Sequence, residues 1–320
     1  VTEPVPATPE AIAAAAAILR EGGVVAIPTE TVYGLAANAL DSAAVARVFE
    51  IKRRPSFDPL IVHVCDVAML EQVASEVPAA ARRLVERFWP GPLTIVLPKS
   101  DAVPAIVTAG GSTVAVRLPS HSVAQAVIRQ AGVPLAAPSA NPFGEISPTR
   151  AGHVARALGE LVDMILDGGP SQHGVESTIV SLVPLPAILR PGAIDAEAIA
   201  EIIGPLPVGE KSGQPTVTPG SLAHHYAPRT PVLLLHHAGE NAPGRARAGW
   251  LGLGPEPEGY AYARSLSPSG DLREAAAALF DALHELDGRS LERIDVEPVP
   301  ERGIGVAIMD RLRRAAAVRS

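Results

Sequence analysis

The 320-residue chain holds a single cysteine, Cys65. That excludes an internal disulfide framework and a multi-cysteine metal site, and it suits a reducing compartment. Cys65 adjoins an apolar run and reads as an inert buried thiol. Aromatic residues make up only 3% of a chain that is 47% hydrophobic, so the core falls to Ala, Val, Leu and Ile. Positive charge is also in deficit: 27 basic residues face 34 acidic ones, for a net charge of −7. That balance argues against a general nucleic-acid surface. Lysine is scarcer still, because only Lys52, Lys99 and Lys211 occur and every other cation is arginine. No run is long enough to span a bilayer; Ala11 to Leu19 is mostly alanine and too short. The start of the chain lacks a basic region followed by a long apolar one, so a soluble cytoplasmic protein is expected. The chain contains no GxxxxGK[ST], no HExxH and no complete GxGxxG. Its histidines form two adjacent pairs, His224-His225 and His236-His237, without a helix-spaced pair, so no structural metal site is expected.

What is present alternates between apolar runs and helical patterns. Thr8-Pro9-Glu10 is a helix start and Gly22-Gly23 a stop. Helices are predicted at Ser42–Lys52, Asp66–Ala74, Pro78–Phe88, Ser120–Ala131, Ser147–Leu158 and Asp195–Ile203. Strands are predicted at Val24–Ile27, Leu60–Val64, Leu93–Leu97, Thr113–Leu118, Pro134–Ala137, Met164–Asp167, Ser177–Leu182 and Ala187–Leu189. The alternation predicts an α/β core, and the short connection near residues 178–189 predicts antiparallel pairing and hence a mixed sheet. Residues 205–229 are rich in Pro, Gly and Ser without a period and read as a linker. Strands at Val232–Leu235 and Ala248–Leu253 and helices at Asp271–Leu286 and Ile304–Ala317 then form a smaller α/β domain. The expected division is 1–204, a linker at 205–229, and 230–320. Arg311, Arg313 and Arg314 read as cations complementing the dipole of the last helix.

The residues between Pro28 and Val64 bring a hydroxyl-rich turn, PTETVYG, next to a cation cluster, Lys52-Arg53-Arg54, and His63. That mixture suits a polyanionic small molecule. Taken alone, KRRP could equally be a solvated helix end. Arg117 lies inside an apolar strand and needs a partner, either a ligand carboxylate or a protein acid. Ser139 and Asn141 of PSAN, Glu176 to Thr178 of GVEST, and Arg190 of ILRPG sit at strand ends.

Jointly, PTETVYGL, KRRP, PLIVHV, TVAVRLP, APSAN, GVEST and LRPG resemble the threonylcarbamoyl-AMP synthase family with its YrdC-type catalytic domain. TPGSLAHHYAP at 218–228 and the closing GIGVAIMDRLRRAA resemble its two-domain form. The resemblance implies a YrdC-like mixed twisted sheet with flanking helices, and a Rossmann-like second domain. It implies a nucleotidyltransferase that converts L-threonine, bicarbonate or CO2, and ATP with Mg²⁺ into threonylcarbamoyl-AMP and pyrophosphate. The adenylate would serve tRNA modification next to the anticodon through downstream transferase machinery, with no membrane and no direct tRNA binding required. Carried over by position, Thr31, His63, Arg117, Ala137 and Ser177 would surround threonine. Lys52, Arg54, Asp58, Thr113, Ser139, Asn141, Ser147, Arg190 and Tyr226 would surround ATP. Lys52 with Arg54, and Ser139 with Asn141, match the family's signature pairs and, with Arg117, would be catalytic. No protein ligand to a metal is assigned. Asp58 and Asp310 stand where the family commonly carries Asn. The linker is expected to fold over the catalytic mouth as a lid. Two other classes share features: a carbamoyl transferase of the hydrogenase-maturation type, whose cysteine-rich segments are lacking here, and a non-catalytic RNA-binding module, which the acidic balance disfavours.

Overall fold

The computed structural model describes residues 2–209, 225–240 and 243–317. A short strand, β1 (Val5–Pro6), leads into helix α1 (Pro9–Arg20). Thr8 caps that helix by accepting from the Ala11 N–H, and Pro9 fills its first turn. After the left-handed Gly22 the chain enters β2 (Val25–Ile27) and returns as β3 (Gly34–Asn38). Helix α2 (Ser42–Lys52) is capped by Asp41, whose carboxylate accepts from the Ala43 and Ala44 N–H groups. There follow β4 (Ile61–His63), α3 (Val67–Val73), α4 (Ala79–Phe88), β5 (Leu93–Pro98), β6 (Thr113–Arg117), α5 (Ser122–Ala131), β7 (Leu135–Ala136), α6 (Ala151–Leu158), β8 (Met164–Asp167), β9 (Thr178–Ser181), β10 (Ala187–Arg190) and α7 (Ala196–Ile203).

The described residues place these strands in one mixed sheet, ordered β1-β8-β2-β3-β7-β4-β6-β5-β9-β10. Neighbours β9 and β10 are antiparallel, as the short connection requires, while β4 and β6 run parallel. Successive residues of β2 feed opposite faces. Ala26 joins the cluster that holds Val45, Val48 and Leu84 on one side, and Val25 and Ile27 join the cluster that holds Leu19, Val127 and Ile128 on the other. Both faces are therefore covered by helices. Cys65 is buried in the second of these clusters.

The second sheet is parallel, ordered β11-β14-β12-β13 from β11 (Val232–Leu234), β12 (Ala248–Leu253), β13 (Tyr262–Ser267) and β14 (Arg293–Val296). It packs with α8 (Leu272–Asp287) and α9 (Gly305–Ala316). The core of this unit also takes in Val32, Ile146, Val175 and Tyr226, which come from loops of the first unit and from the end of the linker. The two units share a hydrophobic cluster and are not merely tethered.

Several elements differ from the sequence reading. No strand was expected straight after the PTETVYG turn, yet Gly34–Asn38 pairs as one. GLAA is too short and too small-sided to display a period. Strands β1, β13 and β14 were not expected. β1 is two residues long, and β13 and β14 carry charged residues that broke the apolar pattern. Helix α6 begins at Ala151 rather than Ser147. Arg311 does not complement a dipole in solvent; it is fully buried and paired with Glu176. Most of the expected lid, residues 210–224, lies outside the described residues.

Gly174 marks the contact between the units. It has φ +66°, and a Cβ there would stand 2.3 Å from the Ala276 carbonyl and 2.6 Å from Ala277 Cα on α8. Gly132, at the end of α5, has a similar φ of +69° but open space around it. Gly132→Ala should therefore cost about 1–2 kcal/mol from backbone conformation alone. Gly174→Ala should cost about 1–3 kcal/mol more, because a helix must move. Urea unfolding of the two variants compares them directly; equal losses would mean that α8 does not press on this turn.

Candidate active site

The loops at one end of the large sheet enclose a cavity lined by Thr29, Thr31, Gly34, Arg54, His63, Arg117, Ala137, Ser139, Glu176, Ser177, Arg190 and Tyr226, among others. Its floor is set by register. His63 of β4 lies beside Arg117 of β6 on parallel strands, so both side chains emerge together. Above them the turn after β2 is tied by Thr29, whose hydroxyl donates to the Val32 carbonyl and accepts from the Thr31 and Val32 N–H groups. Arg117 is braced by this turn and by Gly91. Its Nη2 meets Glu30 Oε1 at 2.7 Å, Nη1 donates to Thr31 Oγ1 at 2.8 Å, and Nε donates to the Gly91 carbonyl at 3.3 Å. Of the two partners the sequence allowed for Arg117, the structure supplies the protein acid. Burial alone would raise the Glu30 pKa, but the Arg117 charge and hydrogen bond outweigh it and lower it to about 2. Burial, then the Arg117 charge, pushes the His63 imidazole down to about 3, so it is neutral near pH 7.

The opposite wall is built from the end of α2. Arg53 takes a left-handed φ of +52° there, so Lys52 and Arg54 both turn inward while Arg53 faces solvent. Lys52 is buried, and its ammonium donates to the carbonyls of Ser139 and Asn141. Burial pushes its pKa well down. Asn141 in turn donates from Nδ2 to the Pro142 and Glu145 carbonyls, each at 2.9 Å. Arg54 pairs with Asp58 Oδ1 at 2.8 Å and donates to the Asp58 and Pro59 carbonyls. On the third side Arg190 donates to the carbonyl of Ser177 at 2.9 Å and to its hydroxyl at 3.2 Å. That hydroxyl also meets Thr94 Oγ1 at 2.8 Å. Gly192 permits this approach, since a Cβ there would stand within 2.5 Å of the Glu176–Thr178 backbone. Tyr226 stacks on Phe280, with ring centroids 5.4 Å apart. It is a non-glycine residue held at φ +63°.

The lining thus presents three guanidiniums, those of Arg54, Arg117 and Arg190, and one carboxylate, Glu176. Among the described residues no group of His, Cys, Asp and Glu could hold a metal ion. No helix of the described residues is long and apolar enough to cross a membrane. Residues 17–192 match the Sua5, YciO and YrdC family described as telomere recombination, and residues 194–317 match the one described as threonylcarbamoyl-AMP synthase, C-terminal domain. The chain is 44% identical to the threonylcarbamoyl-AMP synthase of Bacillus subtilis, covering 96% of this chain and 93% of the relative. It is 42% identical to that of Pyrococcus abyssi, covering 95% and 94%. The chain belongs to the threonylcarbamoyl-AMP synthase family. The crystal structure of P. abyssi Sua5 complexed with L-threonine has the same two-unit α/β architecture, with a TM-score of 0.89 at 40% identity, covering 99% of this chain and 96% of that one.

Of the positions that carried the resemblance, Thr31, Arg54, His63, Arg117, Ala137, Ser139, Ser177, Arg190 and Tyr226 come together on the cavity wall. Lys52 and Asn141 stand behind it and hold the Ser139–Glu145 loop. Asp58 is engaged by Arg54. Ser147 donates to Glu176 Oε1 at 2.7 Å and does not reach the lining. Thr113 opens β6 and pairs with Pro98. Four residues along a strand separate its Cα from that of Arg117 by roughly 13 Å. Glu30, Thr29 and His225 were not singled out as site residues. A lone acid inside a buried turn was the available signal for Glu30, since a buried carboxylate implies a buried cation.

The Glu30–Arg117 pair gives a pH test. The Glu30 pKa is 4.5 ordinarily and about 2 in the folded protein, so its stabilisation is complete above pH 4.5 and is lost as pH falls through 2. Glu30→Gln should lower the unfolding free energy at pH 7 by on the order of 3 kcal/mol. The gap from the parent protein should close as pH is taken from 4.5 toward 2. A gap that stays constant over that range would show that the charge on Glu30 is not what matters.

Proposed function

We propose that the chain is an L-threonylcarbamoyladenylate synthase, acting on L-threonine, bicarbonate and ATP. The observation that carries the reading is the division of one cavity into two cationic sides. Thr31, His63 and Arg117 lie on the floor, and Arg54 and Arg190 lie on the walls. A neutral imidazole and a hydroxyl beside a guanidinium suit the carboxylate and side chain of threonine. The wall guanidiniums suit a triphosphate.

The chemistry asks for no protein nucleophile. The threonine ammonium and bicarbonate give a carbamate, releasing water and a proton. A carbamate oxygen then attacks the α-phosphorus, and the bond to the bridging oxygen breaks as pyrophosphate leaves. The protein's part is to hold two anions in line and to offset growing charge on the phosphates. Arg54 and Arg190 are placed for the second task, and Arg117, braced by Glu30, for the first. Lys52 and Asn141 act through the loop that carries Ser139. Mg²⁺ suits the triphosphate oxygens. The one lining carboxylate, Glu176, is already held by Ser147 and Arg311, so the wall leaves the metal to the phosphates. The product is suited to a downstream transfer onto tRNA.

The cavity volume is about 50 Å³, room for a few waters. A nucleotide is larger than that, so the cavity must widen to admit one, and a wall that closed again would shield a hydrolysable adenylate.

Purified protein should release pyrophosphate from ATP only when both L-threonine and bicarbonate are present, without RNA. Release with carbamoyl phosphate in place of threonine would refute the assignment. Thr31→Val should raise KM for threonine about tenfold and leave that for ATP, as expected for one lost hydrogen bond of ~1.4 kcal/mol. Arg190→Lys should do the reverse. An interchange of the two patterns would overturn the division of the cavity.

A further inference from the structure

Arg311 is the largest buried cation that the reaction above does not use. It belongs to α9 of the second unit, yet its guanidinium ends among loops of the first. Nε donates to Glu176 Oε2 at 2.9 Å, and Nη1 donates to the Pro191 carbonyl at 3.0 Å and to Asp310 Oδ2 at 2.7 Å. Its Cζ lies 5.3 Å from the centroid of the Tyr226 ring, within cation–π range. Glu176 is the lining carboxylate, Pro191 follows the lining Arg190, and Tyr226 also lines the cavity. Three separate segments of the cavity wall therefore meet at one side chain from the other unit.

We infer that Arg311 is a positioning residue for the site, fixing Glu176 and the ring of Tyr226 so that the nucleotide side of the cavity exists only when the second domain is docked. The inference rests on the reading that Arg190 and Tyr226 face ATP. The left-handed backbone of Tyr226 is what makes a brace necessary. An aromatic residue at φ +63° persists only where its surroundings over-determine it. Here Phe280 of α8 stacks on one part of the ring and Arg311 of α9 lies over it. Both braces come from the second domain. The same guanidinium holds one oxygen of Glu176 while Ser147 holds the other, so the turn that carries Ser177 is clamped from two sides. The floor residues Thr31, His63 and Arg117 make none of these contacts.

A bridge that merely stabilised the docked domains would shift the melting midpoint and leave the affinities alone. A positioning residue must separate the substrates. Arg311→Lys keeps a charge for Glu176 but cannot at once reach Glu176, Pro191 and Asp310 or lie flat over Tyr226. We expect the folded Arg311→Lys protein to show KM for ATP raised about tenfold and KM for L-threonine within twofold of the parent value. The double variant Arg311→Met with Glu176→Gln removes both charges of the pair together and should show the same split, more strongly. Calorimetric titration with ATP alone repeats the comparison without turnover. A parent protein that binds ATP but releases no pyrophosphate would sink the proposed reaction and still allow the Arg311 comparison. Unchanged ATP affinity in both variants, or an equal loss for both substrates, would overturn the role of Arg311.

Discussion

Taking a guanidinium out of water is tolerable only when a carboxylate or several carbonyls go with it. Three such pairs surround the cavity: Arg54 with Asp58, Arg117 with Glu30, and Arg311 with Glu176. Each fixes the conformation of a loop that would otherwise be free. The pair at Glu30 sets the turn after β2, and the pair at Asp58 sets the chain leaving α2. The pair at Glu176 joins the two units. In the first two pairs the carboxylate neutralises a lining arginine from behind or beside the wall, and in the third Arg311 neutralises the lining Glu176 from behind. The lining keeps its positive face, and the loops acquire a fixed shape before any ligand arrives.

Much of the fold was legible because the local signals agreed with the global one. Thr8-Pro9 opens a helix where a cap and a first-turn proline should, and Asp41 caps the next. The strands that were missed have separate causes. β3 is made of residues too small to show a pattern, and β14 alternates Arg293 and Asp295 with Ile294 and Val296 because its polar residues pair with each other instead of facing water. The site was legible as a set of residue types but not as a geometry. Spacing in the sequence cannot say that Arg117 is braced by Glu30, or that Lys52 turns toward two backbone carbonyls rather than the cavity. It also cannot say that a helix more than a hundred residues away contributes Arg311. That last contact depends on how two units dock, which no local pattern encodes.

The second unit is best understood from its core. A four-stranded sheet with two helices is a small layer, and its cluster is completed by Val32, Ile146, Val175 and Tyr226 from outside it. Burial of apolar surface between the units and the fit of Gly174 under α8 join folding of the small unit to assembly of the large one's loops. The packing joins the two units into one body, and the second unit braces the cavity wall from behind.

The near absence of lysine acquires a chemical meaning at this cavity. The cations on its wall are guanidiniums, which stay protonated and are poor nucleophiles. Among the described residues the one amine close by, that of Lys52, is buried and bound to two carbonyls. A mixed anhydride formed here would therefore find no basic amine among the described lining residues to acylate. The composition that first looked like a bias toward arginine leaves the described lining without an amine for a reactive acyl donor to modify.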